Sequence, residues 1–565
     1  MKRIVTPLLL SLTLVSCALQ TPTQQAPAPQ RLLEIKLIAF NDFHGNLQTP
    51  STRVPVPDAT QASGFRLDPA GGVEQFSALV KSLKRKNPNN AVITAGDLVG
   101  ATPLLSALFR DEPTIEAMNL VGIDFHAVGN HEFDYGIKHL KRLQAGGCAI
   151  SAKTGQPDCG GREPYKGANF PFLAANVVET DTGKTIFPPY GIKEFEGIKI
   201  AFIGITLRGT PAIVRPGGTA GLEFRDEVAT ANALVPELKR QGVAAIVVLL
   251  HEGGEQAGGI NDCTDFKGKL KDMVERLDPA IQIVASAHTH RYYVCEFGGR
   301  LVTSAGSYGT LVTEIDLTID RNTQKIISKR ARNIVVDPKG AKDSLLTAHV
   351  ANYSALSEPL ENRVVAQVRT EITQAATAAG ESTLGNLIAD AHLFATNSPD
   401  KGGAVLAFNN PGSLRAPILP GADGAVTYGA LFRVQPFQND LIVMTLTGKQ
   451  LKDLLEQQFG ANVAERPRLL GVSNGFSYAW DAARPRGEHV LADSMRLNGA
   501  PVRAELQYRV AANSFIAGGS EGYTVFRDGT DRQAGVLDLE AVVQFLSANS
   551  PYSPPPTGRR LLRLN

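Results

Sequence analysis

Little in this 565-residue sequence is in excess, and its shortages narrow what it can be. Lys plus Arg number 57 against 55 Asp plus Glu, a net charge of +2. Charge alone therefore implies no polyanion-binding surface, and no nucleic-acid polymer is expected as a partner. Beyond residue 15 no stretch approaches the ~18 apolar residues that cross a bilayer. Cysteine is scarce, five in all, and no Cys-x-x-Cys spacing occurs, which argues against a thiolate metal site. What remains is 43% hydrophobic and 20% charged, ordinary for a soluble globular protein with sizeable cores. The length leaves room for more than one domain.

The one apolar run stands at the start. Lys2 and Arg3 precede Leu8 to Val15, a run too short to span a membrane, and residues 1–16 read as a secretory signal. The segment ends Leu14-Val15-Ser16-Cys17, which resembles the bacterial lipoprotein box and implies a lipid on Cys17. The alternative is an ordinary signal peptide that happens to hold a cysteine. Residues 17–32, rich in Gln, Pro, Thr and Ala, read as a disordered tether. The expected location is the bacterial periplasm or cell surface, with the membrane reached through the lipid only. Four cysteines remain, and an even number in an exported chain suggests two disulfides. Three pairings are open; nearness in sequence favours Cys148–Cys159 and Cys263–Cys295.

The chemistry gathers where apolar runs stop. Phe125 to Val128 reads as a buried strand and runs into Gly129-Asn130-His131-Glu132, with Asp134 just behind. Ile35 to Phe40 runs into Asp42 and His44, Ala91 to Ala95 into Gly96-Asp97, Ala244 to Leu250 into His251, and Ile281 to Ala285 towards His288 and His290. Strands that deliver such side chains at their carboxyl ends converge on one sheet edge, where open α/β folds place their sites. Oxygen and imidazole donors without thiolates suit two divalent ions such as zinc, manganese or iron. Asp42-x-His44 and His288-x-His290 each put two side chains on one side of an extended backbone. His126, His139, His349, His392 and His489 lie outside this order and read as turn or satisfied core groups.

In order and type, these five segments resemble the calcineurin-like metallophosphoesterases. The string Gly129 to Gly136 looks like the 5'-nucleotidase branch. The resemblance implies a four-layer α/β/β/α domain over residues 33–338, a linker helix at 339–360 and a C-terminal α/β substrate-binding domain at 361–549. It further implies that Asp42, His44, Asp97 and His290 hold one metal and that Asp97, Asn130, His251 and His288 hold the other, with Asp97 as the bridge. A hydroxide held by the pair would attack phosphorus. His131, held by Asp134, would assist at the phosphoryl oxygens or the leaving alkoxide.

The second half carries its own likenesses. Thr383 to Ala391 resembles the Gly-Asn-Leu segment of the 5'-nucleotidase C-terminal domain, and Phe408 to Arg415 occupies the place of its glycine-rich loop. Gln435 to Asn439 and Ser514 to Tyr523 match its two aromatic loops. The resemblance implies a base between Phe437 and Phe515, base-edge contacts from Asn410 and Asn439, and an anion contact from Arg415. Glu521 stands where the family has aspartate, Pro411-Gly412-Ser413 replaces Gly-Gly-Gly, Ala287 replaces a glycine, and His290 stands where some members have glutamine. Ala375 to Gly380 holds no basic residue where an arginine is usual. The Pro-rich and basic residues 550–565 read as a solvated tail. The expected activity is hydrolysis of nucleoside 5'-monophosphates, with a 2',3'-cyclic-nucleotide phosphodiesterase or nucleotide-sugar hydrolase as the enzymatic alternative and a nucleotide-binding surface lipoprotein as the non-enzymatic one.

Overall fold

The computed structural model describes residues 31–565 except 51, 62–63, 151–156, 160–162, 215–216 and 461–466. The expected signal segment and the expected lipidation at Cys17 lie outside the described residues. No helix among those described is long and apolar enough to cross a membrane.

The first half is built on two six-stranded sheets. In one, the strands Leu32–Phe40, Asn90–Thr94 and Phe125–Ala127 run parallel as neighbours. In the other, Ile198–Ile205, Val243–Leu250 and Ile281–Ser286 do the same. Parallel strands covered on both faces are apolar throughout, and Val243–Leu250, Val-Ala-Ala-Ile-Val-Val-Leu-Leu, is such a run. Alternate residues take opposite faces. Thus Leu37, Ala39 and Ile93 meet Ile200, Phe202, Val247 and Ile283 between the sheets. Ile38, Phe40 and Val92 turn the other way onto the helices Val73–Lys86 and Glu112–Val121. On the far side, Ile203, Ile246 and Val248 pack on Val228, Val235 and Leu238 of the helix Glu227–Arg240. The layers are therefore α/β/β/α.

A helix at Ser344–Glu361 follows. The Asp343 carboxylate accepts the Leu345 N–H to start it and also binds Ser77 and Lys81 of the first domain. The Tyr353 hydroxyl donates to Glu116 at 2.9 Å. At the other end, Glu361 pairs with Arg433 of the second domain at 3.3 Å. That domain holds a five-stranded sheet in the order Gly471–Val472, Leu406–Asn409, Gln507–Asn513, Asp440–Thr447, Thr530–Leu537. The helix Thr383–Thr396, capped by Ser382 accepting from the Gly385 N–H, packs against it beside Asp538–Ala548.

Residues 550–565 are not a solvated tail. Leu561–Arg563 adds a parallel strand beside Phe476–Trp480, with Leu561 opposite Tyr478. The buried Glu381 carboxylate accepts the backbone N–H groups of Gly558, Arg559, Arg560 and Leu561 at 2.8–3.3 Å. Buried Arg560 grips Asp390 with two bonds of 2.7 and 2.8 Å. Three strand residues show no readable period, and their acceptor lies far upstream, so the segment looks unstructured in sequence. The cysteines pair as Cys148–Cys159 and Cys263–Cys295.

Candidate metal centre and adjoining pocket

Each expected ligand sits on the turn that leaves a strand, and the turns are tight. Asp42, His44, Asp97, His288 and His290 have φ of +48°, +47°, +54°, +69° and +55°. Such left-handed backbone costs about 1–3 kcal/mol at a non-glycine residue and clusters at functional sites. Glycine is needed beside them. A Cβ on Gly96 would lie 2.4 Å from the Nδ1 of His251, and one on Gly129 would lie 2.2 Å from the Oδ1 of Asp97.

The side chains meet in two adjoining groups, Asp42 with His44 and His290, and Asp97 with His251 and His288. Asp97 Oδ2 lies 3.1 Å from His251 Nε2 and 3.7 Å from His44 Nε2, so it faces both groups. Asn130 joins the second through its Oδ1, 3.0 Å from His251 Nε2. His251 Nδ1 is 2.8 Å from the Ala95 carbonyl and His44 Nδ1 is 2.7 Å from that of Gly100. A carbonyl only accepts, so each Nδ1 carries a proton, which leaves each Nε2 as the atom that a metal would take. His44 Nε2 faces His290 Nε2 at 3.1 Å. Converging lone pairs and carboxylate oxygens repel one another unless a cation lies among them, and this donor set fits two divalent ions.

His131 stands beside this centre. Its backbone N–H donates to Asp97 Oδ1 at 2.9 Å, and its Nδ1 lies 2.7 Å from Asp134 Oδ2. Burial works against a charged imidazole here, but Asp134 and Asp97 outweigh it and raise the pKa above its usual value. The ring stacks on Phe437 of the second domain, centroids 5.8 Å apart. Arg415 lies over the same phenylalanine at 5.7 Å.

A cavity of about 420 Å³ runs from Asn130, His131 and His288 to Asn410, Arg415, Phe437, Asn439, Phe515 and Glu521. The structure thus brings the expected substrate residues to the expected ligands. Phe437 lies on His131 rather than on Phe515. Asn410 donates to Glu521 Oε1 at 3.2 Å and accepts from Asn513 at 2.9 Å. Asn439 donates to Asp538 at 3.1 Å. Burial raises the Glu521 carboxyl, against the pull of Arg468, Asn410 and Arg415.

Several contributors escaped the sequence reading. Buried Glu132 accepts the N–H groups of Asp97, Leu98 and Gly129 at 3.1, 2.7 and 2.7 Å, tying two ligand turns together. It also meets His126 at 3.4 Å, so that histidine serves the site's frame. Asn41 bonds Asp42 and the Gly306 carbonyl, both at 2.7 Å. Glu132 and Asn41 lie inside the strings already singled out, which was their only signal. Asn513 and Arg468 had none.

Comparison with known proteins agrees with this geometry. The family described as calcineurin-like phosphoesterase matches residues 35–292, and that described as 5'-nucleotidase, C-terminal domain, matches 363–528. The chain is similar to Endonuclease YhcR of Bacillus subtilis, 30% identical over 92% of this chain but only 40% of that protein. It is 29% identical to Cell wall protein Lmo0130 of Listeria monocytogenes, over 92% of this chain and 68% of that protein. Among solved structures, a 5'-nucleotidase precursor from Thermus thermophilus superposes with a TM-score of 0.75 at 27% identity, over 94% of this chain and 100% of that one.

Proposed function

Because the chain joins a calcineurin-like phosphoesterase domain to a 5'-nucleotidase C-terminal domain, it belongs to the 5'-nucleotidase family of metal-dependent phosphoester hydrolases, and we propose that it releases phosphate from nucleoside 5'-monophosphates outside the cytoplasm. One observation carries this reading: Asn130 and His288 of the metal-type donors, His131 beside them, and Phe437 and Phe515 of the two aromatic loops line a single cavity. The likeness to a cell-wall protein supports export.

Asp42, His44, Asp97 and His290 would hold one divalent ion, and Asp97, Asn130, His251 and His288 the other. Bound there, such a pair supplies Lewis acidity and positive charge for a phosphoryl group. The chain does the rest. Asp97 sets the spacing of the two groups through one carboxylate. Asp134 occupies His131 Nδ1, which fixes the ring and leaves Nε2 to donate. Water adds across the P–O5' bond, and His131 gives O5' its proton as the bond breaks. Phe437 and Phe515 offer apolar faces to the base, and a stacking pocket of this kind tolerates any base. Arg415, over Phe437, would add positive charge for the phosphate.

Phosphate release from AMP is the test. Chelation should abolish it, and manganese, cobalt or zinc should restore it. A metal-loaded sample that cleaves cyclic nucleotides or nucleotide sugars but spares AMP contradicts the assignment.

A further inference from the structure

A second and larger space adjoins the catalytic cavity. A cleft of about 1080 Å³ lies between the domains and meets the smaller cavity at Glu255, His288, Thr289, Pro411 and Arg468. A nucleoside monophosphate with its phosphate at the metal ligands and its base at the rings stays within the smaller cavity. The cleft therefore has room for something the substrate has not yet been given.

The charges around it are unequal in a way that composition hides. Its acids are engaged. Glu381 accepts four backbone N–H groups of the C-terminal segment and the Asn386 amide. Glu255 pairs with Arg291 at 3.6 Å. Burial raises the Glu252 carboxyl, which also accepts the Gly253 N–H at 3.0 Å. Its bases are held only loosely: Lys269 acts on Glu252 and Arg468 on Glu521 through charge alone. Among the described residues, Lys267, Lys269 and Arg468 make no ion pair closer than 4.0 Å, and all three are exposed. The wall adds an unused donor. Asn409 lines the cleft fully buried, its Oδ1 accepts from Ser413 at 2.7 Å, and its Nδ2 has no partner among the described residues. Cations without a close ion pair, and a buried donor without a partner, suit an anion.

Resting on the nucleotidase reading above, we propose that this cleft seats a second phosphoryl group carried on the substrate's ribose, so that a nucleoside 3',5'-bisphosphate is a better substrate than the 5'-monophosphate. The ribose is the part of the nucleotide that must lie between the metal ligands and the rings. Arg468 lines both spaces on the second-domain side, beside Glu521 and Pro411. A 3'-phosphate pointing past it enters the cleft and meets Lys267 and Lys269 from the first domain. The reaction is unchanged: water adds across the P–O5' bond, O5' takes a proton, and the 3'-phosphate stays on the product. Arg468 also supplies, from another loop, a positive charge that the basic-free stretch Ala375 to Gly380 lacks.

Initial rates with metal-loaded, full-length protein test this on AMP, adenosine 3',5'-bisphosphate and ADP. The kcat/KM for the bisphosphate should exceed that for AMP by about tenfold or more, the size of one charge-assisted contact. Arg468→Ala, and Lys267→Ala with Lys269→Ala, should each bring that ratio towards one. Their exposure makes misfolding no obstacle. A parent ratio of one or less overturns the subsite, as does a ratio that neither variant moves. A gain for ADP without one for the bisphosphate overturns the ribose placement and assigns the cleft to a pyrophosphate chain. Those outcomes leave AMP turnover standing. A metal-loaded parent that releases no phosphate from AMP overturns the nucleotidase reading itself, and the subsite falls with it.

Discussion

The two ends of the catalytic cavity are built by opposite means. At the metal-ligand end the donors are fixed in advance. His44 and His251 are oriented by backbone carbonyls, Asp42 accepts the His288 N–H at 3.0 Å, and Glu132 ties the Asp97 and Gly129 turns together. At the second-domain end acceptors are left over. Glu521 Oε2 and Asn439 Oδ1 are buried without partners among the described residues. A buried polar atom without a partner costs about 1–3 kcal/mol. The first end stores strain in five left-handed residues to hold a geometry. The second leaves two acceptors open, which under the proposed function a ligand would complete. Under the proposed function the cavity is thus rigid where charge must be placed, and adaptable where a substrate would be chosen.

The contrast can be broken hardest at Asp97. Asp97→Ala removes the carboxylate that faces both donor groups, so metal analysis should find both ions lost and phosphatase activity at background. One ion retained with substantial activity would mean the two groups are independent. His131→Ala strikes the junction of the two ends. Metal content should hold while kcat falls by roughly 10²–10⁴. Lost metal with normal turnover per remaining ion would make His131 a ligand.

The smaller expected effect concerns stability and belongs to the second domain alone. Burial depresses the imidazole of His392 from 6.5 to about 4. The unfolded chain then binds more protons than the folded one between those values. Stability should therefore be whole above about pH 6.5 and fall as pH drops towards 4, by roughly 3 kcal/mol in all. His392→Gln should flatten that acid limb in denaturant titrations and leave the metal centre's ion content unchanged at neutral pH. An acid limb of unaltered slope would show that the ring does not titrate on unfolding.

Legibility in sequence follows the same division. Strand-end ligands could be read because an apolar run followed by Asp-x-His or Gly-Asn-His is local, and the parallel sheets bring those ends together. Their left-handed backbone could not, because nothing in Asp42 or His288 announces φ. Phe437 and Phe515 could be placed in a common pocket only through a resemblance, since no period links residues 437 and 515. The stack of Phe437 on His131 depends on how the domains meet, which no local pattern encodes. Residues 550–565 failed for a like reason: their partner, Glu381, satisfies backbone groups, and backbone groups carry no sequence.

A single substrate spanning both ends is the claim on which the rest depends, and the aromatic pair tests it most directly. In Phe437→Ala with Phe515→Ala, kcat/KM should be measured on AMP and on a phosphate ester without a base. Bridging predicts a loss on AMP equivalent to about 1–3 kcal/mol per ring, no comparable loss on the base-free ester, and unchanged metal content. A double variant that handles AMP like its parent would contradict it, leaving two rings that merely fill space and a phosphoesterase blind to the base.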